Sequence, residues 1–225
     1  MTAGRTALVV ANFSDADAGF VGERLEQCGF ALRTIFRDRD ELAAQVAGDV
    51  GIVLTLGSVW SVHTPVDALS LQAECALLHV AAASNVPVLA ICYGAQVAAR
   101  AFGGSVAAAP RPEVGWIEVE TTDPTFVPAG PWPAFHVDVV TVPPAAQVVA
   151  HNGCGPQAFV LPGLLAVQFH PEARPLVLDD WASRAPGLLV GAGLTRAGLL
   201  TQSLSREPQA RAAAYALVDA FLRVG

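Results

Sequence analysis

Apolar and polar positions fall into two textures along this chain, and the change comes near Ser105. Before it, short apolar runs alternate with longer amphipathic stretches. Thr6–Asn12, Phe30–Phe36, Asp49–Leu56 and Val86–Ile91 are continuous apolar runs closed by Gly, Asp or Ser-Asn breaks, the pattern of strands covered on both faces. Between them, Phe20–Cys28 carries apolar residues at helical spacing (Phe20, Val21, Leu25) and stops at Gly29. Glu41–Val46 predicts a short helix, and Val66–Ala83, after Pro65, a long one. An alanine-rich helix, Gly94–Phe102, follows the fourth strand and is closed by Gly103-Gly104.

Beyond Ser105, Val114–Glu120 alternates apolar and polar like a half-exposed strand. The Pro-rich stretches Pro124–Pro133 and Pro143-Pro144 set it apart from further strands at Phe135–Val142 and Val148–Ala150. Ala158–Leu161 and Leu164–Phe169 follow across the Pro162-Gly163 turn. Gln209–Val224 places Ala213, Leu217 and Phe221 on one side of a closing helix. The pattern predicts an α/β fold: a doubly wound, mostly parallel sheet with an antiparallel insertion after the Gly94 helix. No linker or repeat divides it, so residues 1–225 are expected to form one domain.

Composition narrows the chemistry. At 53% hydrophobic and 15% charged, the chain has the makeup of a folded protein. No apolar run approaches the roughly eighteen residues of a membrane span, and the N-terminal run is too short for a signal-peptide core. A cytoplasmic protein with no membrane partner is expected. The net charge of −7 argues against a nucleic-acid partner. All 13 basic residues are arginine, which excludes a Schiff-base lysine, a lysine base and a Walker-type phosphate loop. The four cysteines form no CxxC pair, and His63, His79 and His151 lack ligand spacing, so neither a disulfide framework nor a metal is expected, and no cofactor is implied. Cys28 and Cys75 fall on helix faces and are expected in the core; Cys154, between two glycines, is given a structural role. Trp116, Trp132 and Trp181 are expected to pack rather than bind.

Two stretches carry candidate chemistry. Cys92 stands where a strand gives way to a helix, with small residues two positions away on each side, Ala90 and Gly94. A tight strand-to-helix turn with an exposed nucleophile needs that spacing, because larger side chains would meet the crossing backbone. The positive end of the helix stabilises a thiolate there. The second stretch, Leu164–Glu172, ends in His170-Pro171-Glu172. In extended backbone, residues two apart point the same way, so the Glu172 carboxylate can reach an imidazole nitrogen of His170. That is a general base with its orienting group. Pro171 fixes its own backbone and restricts His170.

AICYGAQ and QFHPE, preceded by the turn Leu56–Val62, resemble the class I (triad) glutamine amidotransferases. The nearest branch is the free-standing type similar to the glutaminase domain of GMP synthetase. The resemblance runs from about Leu8 to Ala173 and takes in Pro112–Trp116, Phe135–Asp138 and Gln157–Phe159. It implies Cys92 as nucleophile, His170 as general base and acid, and Glu172 as orienter. It further implies an oxyanion hole from the N–H groups of Tyr93 and of the Gly57-Ser58 turn, with Gln96 and the backbone near Val137 holding glutamine. The sheet would be flavodoxin-like. The implied partner is a separate synthetase subunit receiving ammonia.

The chain departs from the family pattern at several positions. Gly57-Ser58-Val59 replaces the usual Gly-Gly-Pro, and a glycine-type conformation at Ser58 would be strained by about 1–2 kcal/mol. Ala95 stands where relatives carry His or Met, and Val137 where the branch has Gly. No synthetase domain is expected after the closing helix. Two further readings stay open: a stand-alone hydrolase of another γ-glutamyl amide, and a non-catalytic binding or regulatory subunit keeping the fold.

Overall fold

The computed structural model describes residues 5–224. Five strands make a parallel sheet: β1 (Arg5–Ala11), β2 (Phe30–Phe36), β3 (Val50–Thr55), β4 (Val88–Ile91) and β10 (Leu164–Val167). Their order, β2-β1-β3-β4-β10, is the flavodoxin-like one expected. Strands β9 (Gly155–Leu161), β8 (Gln147–Asn152) and β6 (Glu120–Thr121) then extend the same sheet antiparallel, to eight strands. The antiparallel part is thus mostly continuous with the main sheet. A separate two-stranded ribbon pairs β5 (Ser105–Ile117) with β7 (Trp132–Thr141).

Burial explains the unbroken apolar runs. Along β1, Ala7, Val9 and Ala11 enter one core while Leu8 and Val10 enter the other. In β4, Leu89 and Ile91 are set against Val88 and Ala90 in the same way. The first core is closed by α1 (Gly19–Gln27) and the C-terminal half of α6 (Arg196–Val224), through Val21, Leu25, Leu217 and Phe221. The second is closed by α2 (Ala68–Ala83) and α3 (Tyr93–Ala101), through Leu77, Leu78, Val97 and Ala98. Asp67 caps α2, its Oδ1 accepting from Leu69 N–H at 2.9 Å, which places the helix start two residues later than the pattern alone suggests.

Three expectations change. Glu41–Val46 is a single 3-10 turn, Ala43–Gln45, with Leu42 and Val46 buried as anchors on either side. Helices α4 (Pro175–Arg184) and α5 (Pro186–Gly191) are additions, in a stretch for which no element is expected above. The closing helix begins at Arg196 rather than Gln209 and carries Pro208 inside it. Proline removes one helical hydrogen bond, but the N-terminal half is fixed by packing: Leu199 and Ser203 are fully buried, and Ser203 accepts from Trp116 Nε1 at 3.1 Å. Among the described residues no helix is long and apolar enough to cross a membrane.

Candidate active site

Strand β4 delivers Cys92 into a sharp turn, φ 50° and ψ −104°, before α3 begins at Tyr93. A side-chain-bearing residue in that region is strained by about 1–3 kcal/mol. The surroundings hold it: Cys92 N–H donates to Val167 carbonyl at 2.8 Å, and its carbonyl accepts from Gln96 N–H at 3.0 Å. The need for small neighbours is steric, as expected. A Cβ at Gly94 would lie 2.6 Å from the Thr55 carbonyl oxygen, and Ala90 is fully buried.

His170 follows the end of β10. Its N–H donates to Pro133 carbonyl at 2.8 Å, and its Nδ1 lies 2.7 Å from Glu172 Oε1. The pairing across Pro171 is therefore present, but on a tight turn rather than the extended backbone expected: Ala173 N–H donates to the His170 carbonyl at 3.2 Å, closing the turn over Pro171-Glu172. Glu172 is anchored in turn: its carbonyl accepts from Phe20 N–H at 3.0 Å. The approach is so close that a Cβ at Gly19 (φ +49°) would fall 1.7 Å from that oxygen. Trp181 packs on the imidazole, centroids 4.6 Å apart. The place a Gly57 Cβ would occupy is 2.8 Å from His170 Cε1 and 3.6 Å from Cys92 Cβ, so the two side chains close on one point.

Nδ1 being taken by Glu172, Nε2 is the imidazole atom left to face the thiol, and it has no hydrogen-bond partner among the described residues. Burial pushes the His170 imidazole down, but the charges of Cys92 and Glu172 outweigh it and hold the group well above its ordinary value. The imidazolium is the form of His170 that this arrangement favours. Gln168 Nε2 reaches Cys92 Sγ at 3.7 Å.

These groups open on a cavity of about 320 Å³. The C-terminal ends of β1, β3, β4 and β10 form its floor, as ligand sites do in open α/β sheets. Gly57, Ser58, Gln96 and Val137 all line it. Neither Gly57 nor Ser58 takes positive φ, so the strain expected at Ser58 does not arise. Ser58 Oγ instead accepts from Trp60 N–H at 3.0 Å, turning that side chain into the loop. Gln96 is 3% exposed and its Oε1 is unpartnered. Val137, 41% exposed, stands on the β7 wall. Ser61 Oγ donates to Asp138 Oδ2 at 2.6 Å, joining the loop after β3 to that wall.

Behind the wall lies a buried polar cluster. Glu113 accepts from Asn152 Nδ2 at 2.6 Å and Gln157 Nε2 at 2.7 Å. His136 Nε2 is 3.3 Å from Glu113 Oε2 without hydrogen-bond geometry. Burial outweighs that carboxylate and pushes His136 down to about 4, so it is neutral at pH 7 and the contact is no ion pair.

Sequence reasoning missed Asp15 and Arg184, whose side chains reach the cavity from loops and helices with no motif around them. It also assigned Trp181 to packing alone. Trp181 Nε1 donates to Asp15 Oδ2 at 2.9 Å, and burial pushes the Asp15 carboxyl up against the opposing effect of Arg184. The one clue was the run of acids at Asp15 and Asp17 directly after β1. Cys28, expected in the core, is exposed, because it lies past the buried stripe of α1 with Sγ 3.9 Å from Asp219 Oδ1. Cys75 is half-buried, its thiol pushed up to about 11 by burial. Cys154 takes a contact from Arg111 Nε at 3.3 Å and does not line the cavity.

The family profile "Glutamine amidotransferase class-I" matches residues 62–180. A GMP synthase [glutamine-hydrolyzing] of Aeropyrum pernix is 34% identical over 205 residues, covering 84% of this chain and 37% of that protein. One from Thermomicrobium roseum is 30% identical over 173 residues, covering 74% and 31%. The chain thus spans about a third of the length of these relatives. A crystal structure of a glutamine amidotransferase from Thermotoga maritima superposes with TM-score 0.84 at 19% identity, over 98% of this chain and 99% of that one. One from Methylobacillus flagellatus gives 0.84 at 21%, over 98% and 95%.

Proposed function

The chain belongs to the class-I glutamine amidotransferase family, and from that premise we propose that it hydrolyses the side-chain amide of glutamine through Cys92 and supplies the ammonia to an acceptor. The observation that carries this reading is the meeting of Cys92 and His170 at Gly57, with Glu172 Oε1 2.7 Å from His170 Nδ1. The Cys92 thiolate attacks the carboxamide carbon, and the carbonyl electrons move onto oxygen. Fixed N–H groups of Tyr93 and of the Gly57-Ser58 turn hold that oxyanion. Collapse breaks the C–N bond, and the leaving nitrogen takes its proton from His170. His170, now neutral, draws a proton from water, which attacks the γ-glutamyl thioester, releases glutamate and restores the thiolate. Glu172 holds the imidazole in one tautomer and stabilises its cation. Gln96 and the backbone at Val137 hold the amino-acid end.

Glutamate release from glutamine by wild type and Cys92→Ala tests this, each alone and with cell-extract fractions that contain an ammonia acceptor. Complete loss in the variant is expected, with stimulation of the wild type by a partner synthetase. A wild type that stays silent under every condition overturns the reading.

A specific feature favours a second reading, a γ-glutamyl amide other than free glutamine. The glutamyl end, with its α-carboxylate, is common to both substrates; the leaving amine is what differs. Among the described residues the cation lining the cavity is Arg184, already 2.5 Å from Asp180 Oδ2 and 3.7 Å from Asp15 Oδ2. The acids Asp15, Asp17 and Asp138 on that wall suit a leaving amine that carries a further positive charge, which free glutamine lacks. A panel of γ-glutamyl amines separates the two: turnover confined to glutamine counts against this one.

A further inference from the structure

One cation in the interior belongs to neither the triad nor the cavity wall. Arg37, just after β2, is 2% exposed and its side chain is fully covered. Its Nε donates to Glu74 Oε2 at 2.9 Å, and the Glu74 carboxylate, also fully covered, takes the Thr55 hydroxyl as well. Nη1 donates to Asn12 Oδ1 at 2.6 Å and to the Gly57 carbonyl at 3.1 Å. Nη2 donates to the Leu56 carbonyl at 2.9 Å and the Val10 carbonyl at 3.3 Å. The Tyr93 ring lies under the guanidinium, 4.9 Å from Cζ.

Two of those acceptors are consecutive carbonyls of the turn that lines the cavity. In a planar trans peptide, the carbonyl of one residue and the N–H of the next point in opposite directions. A guanidinium gripping the Leu56 and Gly57 carbonyls therefore turns the Gly57 and Ser58 N–H groups away from itself, toward the cavity. Neither N–H donates to any other group among the described residues. The third donor, Tyr93 N–H, belongs to the residue whose ring rests on the same guanidinium. The turn has no proline or second glycine to shape it, since Ser58-Val59 stand in those places.

We infer that Arg37, held by Glu74 and Asn12, is a positioning residue that presets the oxyanion donors from behind. It touches no substrate. It acts through the peptide planes of Leu56-Gly57 and Gly57-Ser58 and through the Tyr93 ring. The inference rests on the amide-hydrolysis reading above for its catalytic consequence, but not for the order of the turn.

The experiment uses the full chain with glutamine as substrate. Removing Arg37 alone would leave Glu74 buried without its partner and endanger folding, so the informative variants are the paired Arg37→Met/Glu74→Gln and the milder Asn12→Ala. For the pair, kcat is expected to fall about 100-fold, the scale of losing one oxyanion donor, with KM within about threefold. Alkylation of Cys92 by iodoacetamide develops no oxyanion and should keep its wild-type rate. Asn12→Ala should lower kcat about fivefold. A folded variant with wild-type kcat, or one whose alkylation falls in step with kcat, overturns the inference. Amide hydrogen exchange at Gly57 and Ser58 gives a readout independent of turnover. Asn12→Ala should speed it about tenfold, and unchanged exchange refutes the placement even if the wild type proves inactive on glutamine.

Discussion

Gly57→Ala puts one methyl group where the imidazole and the thiol converge. The added Cβ would stand 2.8 Å from His170 Cε1 and 3.6 Å from Cys92 Cβ, and ordinary contact begins near 3.4 Å. The imidazole must retreat by about 0.6 Å, the difference between 3.4 and 2.8 Å. It cannot do so freely, with Glu172 on Nδ1 and the Trp181 ring 4.6 Å away. A displacement of about 1 Å at a reacting group can cost 100-fold. The expected loss in kcat for glutamine is therefore about 10–100-fold, or roughly 1.4–2.7 kcal/mol of barrier. Stability should fall by about 1–3 kcal/mol from forcing the imidazole against its neighbours, offset in part because Gly57 is outside the left-handed region and alanine there narrows the unfolded ensemble. Gly153→Ala is the matched control: a Cβ there meets nothing within 4 Å. Steady-state kinetics and thermal melts on the three proteins decide the matter. Wild-type kcat in a folded Gly57→Ala would refute the convergence of His170 and Cys92 at that point.

Glu172→Gln keeps the shape of the orienting group but removes the charge that helps hold His170 high. It should lower kcat by at least about 100-fold and move the alkaline limb of the pH–kcat profile to lower pH; an unmoved limb counts against the assignment. His136 is held down to about 4 in the fold against an ordinary 6.5, so unfolding gains a proton between those values. Stability is complete above pH 6.5 and falls as pH drops toward 4, by roughly 3 kcal/mol from this group. Denaturant titrations across that window should slope less for His136→Asn; equal slopes would place the cause elsewhere.

The sequence made the parallel core legible because each strand there is buried on both faces, leaving runs such as Leu8–Val10 and Leu89–Ile91 that no exposed element would carry. The chemistry was legible for a different reason. Cys92 and the His170–Glu172 pair each depend on a local constraint, the crowding at Gly94 and the turn at Pro171-Glu172, and local constraints leave local marks. What escaped notice acts at long range. Arg37 and Glu74 are 37 residues apart, and nothing near either says that they meet under Gly57. Asp15 and Trp181 meet only because α4 folds back over the end of β1. The Pro208 interruption hid half of α6, since packing of Leu199 and Ser203 overrides a propensity that is sound in isolation.

The cavity draws its walls from two sheets that share no strand. Cys92, His170 and the Gly57 turn are carried by the rigid parallel layer, whereas Phe135, Val137 and Asp138 are carried by the β5–β7 ribbon. On the proposed reading, bond-making and molecular choice fall to different parts, joined where His170 N–H meets the Pro133 carbonyl of the ribbon. A lineage can trade residues along the ribbon, and with them the molecules admitted, while inheriting the same cysteine chemistry unaltered.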